Sequence, residues 1–200
     1  MNRLLPYQSG LCRPLDPFTR YDVVYTRHFP ENNCTVSLRP LHLEKDISLL
    51  HSWIKREYVR PSWKHHIPYD EIIQTLIHTA HSDFGQVFTG MHTDRPLCEV
   101  QVFRASQDDE LGMHPLVYPG DYVLRLMPSR VAPAQHLAVI QTCVDYFLQH
   151  KEVKRVLAIV DEDDARDNSV IKKAGFTFLS KVPTSYKMDN LYVYPPAHSS

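Results

Sequence analysis

A chain of 200 residues, 43% of them hydrophobic and 22% charged, has the length and composition of one globular domain with a substantial core. Its formal net charge of −1 gives it no basic surface for gripping nucleic acid or an anionic membrane. No apolar run approaches the roughly 20 residues of a membrane helix, and the opening "MNRLLPYQSGLCRPLDP" lacks the sustained apolar segment of a secretion signal, so a cytoplasmic protein is expected.

Residues 1–33 are rich in proline and aromatics and read as an irregular arm with one strand at "YDVVYT". The domain proper is expected over 34–195, with a tail at 196–200. "CTVSLRPL" has alternating β-formers and reads as a strand. In "EKDISLLHSWIKREYV" the helical spacing of Ile47, Leu50 and Ile54 predicts a helix with Asp46 as its N-cap. "IPYDEIIQTLIHTA" predicts a second helix with Ile72, Ile73, Leu76, Ile77 and Ala80 on its apolar side. "GQVFTGMHT" and "PLCEVQVFRAS", joined by the turn-like "HTDRP", predict a hairpin.

"DYVLRLM" has few polar side chains, as expected for a strand near the middle of a sheet. "PAQHLAVIQTCVDYFLQH" is the clearest helix: Pro133 suits the first position, and Leu137, Ile140, Val144 and Phe147 form one stripe. "RVLAIV" reads as another buried strand. "DDARDNSVIKKAGF" predicts a short helix, acidic at its start and closed by Gly175. "TFLSKV" and "SYKMDNLYVY" read as a final antiparallel pair. No repeat or linker divides the chain, and the order of elements is that of a mixed α/β sheet.

Cysteines and histidines add no metal or redox motif. Cys12, Cys34, Cys98 and Cys143 lie too far apart in sequence for a zinc knuckle or a redox pair, and Cys143 reads as a reduced core thiol. His65 and His66 in "KHHIP" have no nearby Cys, Asp or Glu set to complete a site, so no metal is expected.

The order of elements, with the ending "KKAGF" at 172–176, resembles the GNAT family of acyl-CoA-dependent N-acyltransferases. A narrower resemblance, over roughly 24–194, is to the siderophore-biosynthesis branch of aerobactin-type hydroxylysine acetyltransferases. The matching words are "SLRPLHLEKDISLLHSWI", Val59 and Trp63 in "YVRPSW", "DDELG", and "PGD" opening the central strand. The family likeness implies a mixed, mostly antiparallel sheet with a splayed parallel strand pair and flanking helices. It implies acyl transfer from acetyl-CoA or another acyl-CoA, with no metal, to a small-molecule hydroxylamine, in a monomer or homodimer that binds neither nucleic acid nor membrane. An acetyltransferase of ordinary amines and a non-catalytic binding protein of the same fold are the alternatives.

The likeness also assigns residues. Pantetheine would lie between the splayed strands at 122–127 and 155–160, against Leu126 and Met127. The pyrophosphate would sit at the N-terminus of the Pro133 helix, where free N–H groups and the helix dipole favour an anion. The family's glycine-containing loop is replaced by "PSRVAPAQ", in which Ser129, Arg130, Ala134 and Gln135 are the candidate contacts. Family relatives carry Asp-x-Gly-(Ile/Leu)-His on the central strand; here the run from Asp121 ends in Arg125, which cannot act as a base. Arg125 is expected to bind a carboxylate of the acceptor or of a succinyl-type donor, or to pair with Asp161. Asp161 occupies the place of a family aspartate after the next strand, and Asp164 a place where asparagine is common. His114 is a candidate substitute base. On the acceptor side, Gln101 replaces the glutamate of a Glu-x-Tyr-Trp strand, and Trp63 matches a family tryptophan. A hydroxylamine is mostly neutral at pH 7 and asks little of a base, whereas an alkylamine with a lysine-like pKa of about 10.4 needs one.

Overall fold

The computed structural model describes residues 10–12, 22–58, 69–128, 132–184 and 187–195. Eight strands build one sheet: β1 (Tyr25–Phe29), β2 (Cys34–Pro40), β3 (Gly85–His92), β4 (Arg95–Arg104), β5 (Asp121–Pro128), β6 (Arg155–Asp161), β7 (Thr177–Pro183) and β8 (Met188–Tyr194). Their order across the sheet is β1-β2-β3-β4-β5-β6-β8-β7, antiparallel throughout except for the parallel pair β5–β6. Four helices complete the fold: α1 (Leu43–Tyr58), α2 (Tyr69–His81), α3 (Pro133–Phe147) and α4 (Ala165–Lys173). The mixed α/β architecture with one parallel pair is the one expected.

Alternation along the strands sends side chains to two faces. Val36, Leu38, Phe88, Val100, Val102, Leu124 and Val156 pack under α3 and α4 with Ile140, Cys143, Val144 and Phe147. The opposite face carries Val87 and Met127 under Leu50 and Trp53 of α1 and Ile73, Leu76 and Ala80 of α2. Further along that face, Phe103, Val123, Leu157, Leu191 and Val193 pack with Leu111 from the β4–β5 connection.

Two local expectations are corrected. The first strand begins at Tyr25 rather than Tyr21 and pairs with β2, so part of the supposed arm belongs to the sheet. Asp46 lies inside α1 rather than at its N-cap: its carboxylate reaches back to the backbone N–H of His42 (2.9 Å) and takes both ends of Arg39 (2.7 Å each). Burial works against the charge on Asp46, but Arg39, His42 and Thr89 outweigh it and hold its pKa below the usual range. Gly120 and Gly175 sit where φ is +92° and +97°, in the left-handed region. The first turns the chain into β5. The second ends α4, where its N–H bonds to the Lys172 carbonyl at 3.0 Å.

Candidate active site

The strand pair β5–β6 separates within the sheet. Its pairing runs from Asp121 with Arg155 to Leu124 with Ala158 and stops there. Beyond that point β5 stays paired to β4 as far as Pro128, and β6 stays paired to β8 as far as Asp161. The facing backbone edges of 125–128 and 159–161 therefore have no ladder to each other. Leu126 and Met127 lie on this stretch, Leu126 packed toward the α3 side and Met127 toward α1 and α2.

The chain leaves β5 here and starts α3 at Pro133. Pro133 has no N–H, and the Ala132 N–H already donates to the side chain of Gln135 at 3.2 Å. The backbone amides of Ala134 and Gln135 remain as first-turn donors, because the His136 N–H closes onto the Ala132 carbonyl at 3.0 Å. Gln135 thus caps its own helix with its side chain, and Ala134 is exposed. The absence of glycine leaves a helix N-terminus still able to receive an anion. Ser129, Arg130, Trp63 and Val59 lie outside the described residues.

Arg125 is neither buried nor paired to Asp161. Its side chain is 42% exposed and donates to Asp108 at 2.7 Å, with Glu110 at 3.8 Å. The guanidinium lies 5.2 Å from the centre of the Phe103 ring. Asp108 is 1% exposed and also accepts the backbone N–H groups of Glu110 (2.9 Å) and Leu111 (2.8 Å). The "DDELG" word is therefore a turn that holds the arginine through a buried carboxylate. Gln101 stands directly opposite Arg125 in the β4–β5 register.

Asp161 sits at the end of β6, where Lys187 donates to it at 2.6 Å and the Asp163 N–H at 3.0 Å. Burial works to lower the Lys187 pKa, but Asp161 and Asp189 outweigh it and raise it. Asp164 is the N-cap of α4, accepting the Asp167 N–H at 2.9 Å. His114 lies in the β4–β5 connection, where its Nδ1 accepts the Leu116 N–H at 3.3 Å. The Leu116 carbonyl in turn takes a hydrogen bond from Arg155, the first residue of β6 (2.9 Å). That places His114 beside the closed end of the strand pair, away from the gap.

One buried acid on β4, across β5 from the gap, escaped the sequence reading. Glu99 stands on β4 two residues before Gln101, between Thr89 of β3 and Met127 of β5. It is 0% exposed, and neither carboxyl oxygen has a hydrogen-bond partner. Desolvation pushes its pKa up to about 8, with only the nearby Gln101 side chain acting the other way. The signal was a lone acid among Leu97, Cys98, Val100 and Val102, on the strand already singled out for Gln101. Among the described residues no group of three or more His, Cys, Asp or Glu side chains gathers as a metal site would require, and no described helix is long and apolar enough to cross a membrane.

A family model for the acetyltransferase (GNAT) domain matches residues 42–184. Among solved structures the chain is similar to an uncharacterized protein from Bacillus halodurans, at 20% identity and a TM-score of 0.73 over 84% of this chain and 88% of that one. It is similar to aminoglycoside acetyltransferase AAC(6')-Ib in complex with coenzyme A and kanamycin, at 19% identity and a TM-score of 0.67 over 79% and 93%. It is also similar to Mycobacterium smegmatis RimJ in complex with CoA-disulfide, at 13% identity and a TM-score of 0.62 over 86% and 87%. At such identities the likeness is one of fold. No curated protein matches the chain by sequence.

Proposed function

This chain belongs to the acetyltransferase (GNAT) domain family, and from that premise we propose that it moves an acyl group from acetyl-CoA, or another acyl-CoA, to a nitrogen of a small molecule. The observation that carries the proposal is the end of β5–β6 pairing at Leu124 and Ala158, with the first turn of α3 following β5. An extended pantetheine arm can pair with strand edges that have no ladder of their own. The amides of Ala134 and Gln135, at the positive end of the α3 dipole, suit its pyrophosphate, and Ser129 and Arg130 are further candidates for it. Neutral substrate-side groups, Gln101 and Trp63, would wall the acceptor.

The acceptor to which the sequence words point is a hydroxylamine of the hydroxylysine or hydroxydiamine type, acylated to a hydroxamate for siderophore assembly. Two observations favour a second reading, an ordinary amine. Glu99 supplies a basic group that the arginine at 125 does not. The charge of Arg125 is already met by Asp108 and Glu110, and Asp109 is exposed beside them, so this mouth suits a cation better than a carboxylate. Four free cysteines support a reducing, cytoplasmic setting.

Thermal-shift titration with acetyl-CoA and succinyl-CoA, followed by turnover with paired hydroxylamine and amine acceptors, tests the proposal. A ligand at about 100 times its Kd adds roughly 2.7 kcal/mol, worth roughly 5–11 °C in the midpoint of a chain this size. A saturable shift with turnover is expected, and the preferred acceptor decides between the two readings. A shift without turnover of any acceptor leaves a non-catalytic binding protein, and no shift with either donor overturns the proposal.

A further inference from the structure

Arg125 stands where β5 begins to part from β6. It is the first residue of β5 beyond the last paired one, Leu124. Val123 and Met127, two residues to either side, pack on the face that carries α1 and α2, while Leu124 and Leu126 pack on the α3 side. Alternation therefore puts the Arg125 side chain on the α1–α2 face, where its guanidinium lies 5.2 Å from the centre of the Phe103 ring. A cofactor whose pyrophosphate rests on α3, and whose arm follows the unpaired edges, brings its sulfur to the place where the ladder resumes. Because α3 and α4 cover the other face, the acyl carbonyl and an arriving nitrogen meet on the face that Arg125 occupies.

Only part of this guanidinium is used. Its Nη2 donates to Asp108 at 2.7 Å, and among the described residues it makes no other hydrogen bond. The Nε and Nη1 groups are left as donors. Asp108 holds them from a fixed base: it is buried and anchored by the N–H groups of Glu110 and Leu111. Gln101, opposite on β4, brings no competing charge. Replacing a buried ion pair by apolar side chains is often neutral or stabilising, so packing alone does not require an arginine here.

Resting on the acyltransfer reading above, we propose that Arg125 is the oxyanion donor of the acylation step, with Asp108 as its positioning residue. The nitrogen lone pair forms the bond to the thioester carbon, and the carbonyl π pair moves to oxygen. The unused guanidinium N–H groups donate to that oxyanion. On collapse the oxygen restores the carbonyl, the carbon–sulfur bond breaks, and CoA leaves with the electron pair as a thiolate. The nitrogen gives up one proton, which water carries to the thiolate, so the products are the N-acyl compound and CoA as its thiol. Arg125 itself transfers no proton, because a guanidinium stays charged across the working range of pH. Donors held in place before the charge develops stabilise the adduct more than the planar thioester.

The experiment measures kcat and KM with acetyl-CoA and succinyl-CoA for the wild type, Arg125→Met, Arg125→Lys, and a double variant combining Arg125→Met with Asp108→Asn. The double variant leaves no buried charge unpaired, so it carries the test if Arg125→Met alone does not fold. The expected result in Arg125→Met and the double variant is a kcat lower by about a hundredfold or more with both donors. The KM for acetyl-CoA and the shape of the pH profile should be unchanged. Arg125→Lys keeps the charge against Asp108 but not the planar fork, and should recover only part of the rate at a wild-type thermal midpoint. A double variant that is folded by its thermal midpoint and keeps the wild-type kcat with acetyl-CoA overturns the role of Arg125 alone. So does a loss confined to a higher KM for succinyl-CoA, which would make Arg125 a carboxylate site for the donor. A wild type that binds acyl-CoA but turns over no acceptor overturns the acyltransfer reading, and this role with it.

Discussion

Asp121 opens β5 and Glu99 lies opposite its far end, and the fold treats these two buried acids differently. Asp121 takes Arg155 through both oxygens, at 2.8 and 2.6 Å, and accepts the Tyr118 N–H at 2.8 Å. Arg155 uses its remaining reach on the Leu116 carbonyl and lies 4.8 Å from the centre of the Tyr118 ring. Its hydrogen bond to Asp121 raises its pKa above the ordinary value. At this end β5 and β6 are paired. At the other end they have parted, and the Glu99 carboxyl has only the neutral side chain of Gln101 as a polar neighbour acting on it. A matched buried charge locks two strands in register. An acid without such a partner is held neutral by its burial, and its cost falls on the folded state as pH rises.

The largest effect is expected where the match is best. Asp121→Asn leaves Arg155, whose side chain is 18% exposed, without its counter-ion. Breaking such a pair costs about 3–5 kcal/mol, which lowers the thermal midpoint by roughly 6–20 °C. A loss of only a degree or two would show that the closed end is not held by charge. Glu99→Gln should act in the opposite direction, and with pH. Burial raises the Glu99 pKa from 4.5 to about 8, so the native state keeps a proton that the unfolded chain releases between those values. The resulting stability is complete below about pH 4.5, declines as pH rises, and is gone above about 8. Glutamine does not ionise and escapes that loss. The variant should be more stable than the wild type by on the order of 4 kcal/mol at pH 8 and by about 1 kcal/mol at pH 5. Chemical denaturation at the two pH values reads this directly, and an equal difference at both would mean that Glu99 ionises in an ordinary environment.

The contrast between the two ends also marks how far the sequence could be read. Continuous apolar strands at β5 and β6, and the Ile140, Val144 and Phe147 stripe of α3, made the middle of the fold legible, because period and composition carry that information locally. The gap between β5 and β6 was legible only through the family likeness. Pairings between distant segments were not legible. Arg125 meets Asp108, 17 positions away in sequence, and nothing in either residue's neighbourhood names the other. Glu99 and Gln101 share a strand face, and the family's Glu-x-Tyr-Trp pattern falls on Gln101. Which of them is covered depends on where α1 and α2 lie over β4, a tertiary fact. Asp46 read as an N-cap because an acid before an apolar repeat usually is one; here the helix starts a turn earlier and the acid reaches back to it.

The smallest effect sharpens the comparison from the open end. Asp164 sits in the turn that leaves β6, three residues after Asp161, where an acid could be taken for chemistry. Its side chain, however, is spent on the Asp167 N–H, and its carbonyl accepts Asn168 Nδ2 at 2.7 Å. Asn168, only 8% exposed, also donates to the Asp161 carbonyl and accepts Asn190 Nδ2 and the Tyr192 hydroxyl. The turn is thus tied to β8 by Asn168 rather than by Asp164. Asp164→Ala should then cost about 1 kcal/mol, the ordinary loss of an N-cap, or about 2–4 °C in the midpoint, with the affinity for acetyl-CoA unchanged. A tenfold loss of acetyl-CoA affinity at the same small loss of stability would instead place this turn in the binding site. It would also show that a satisfied acid at the open end is no guide to a structural role.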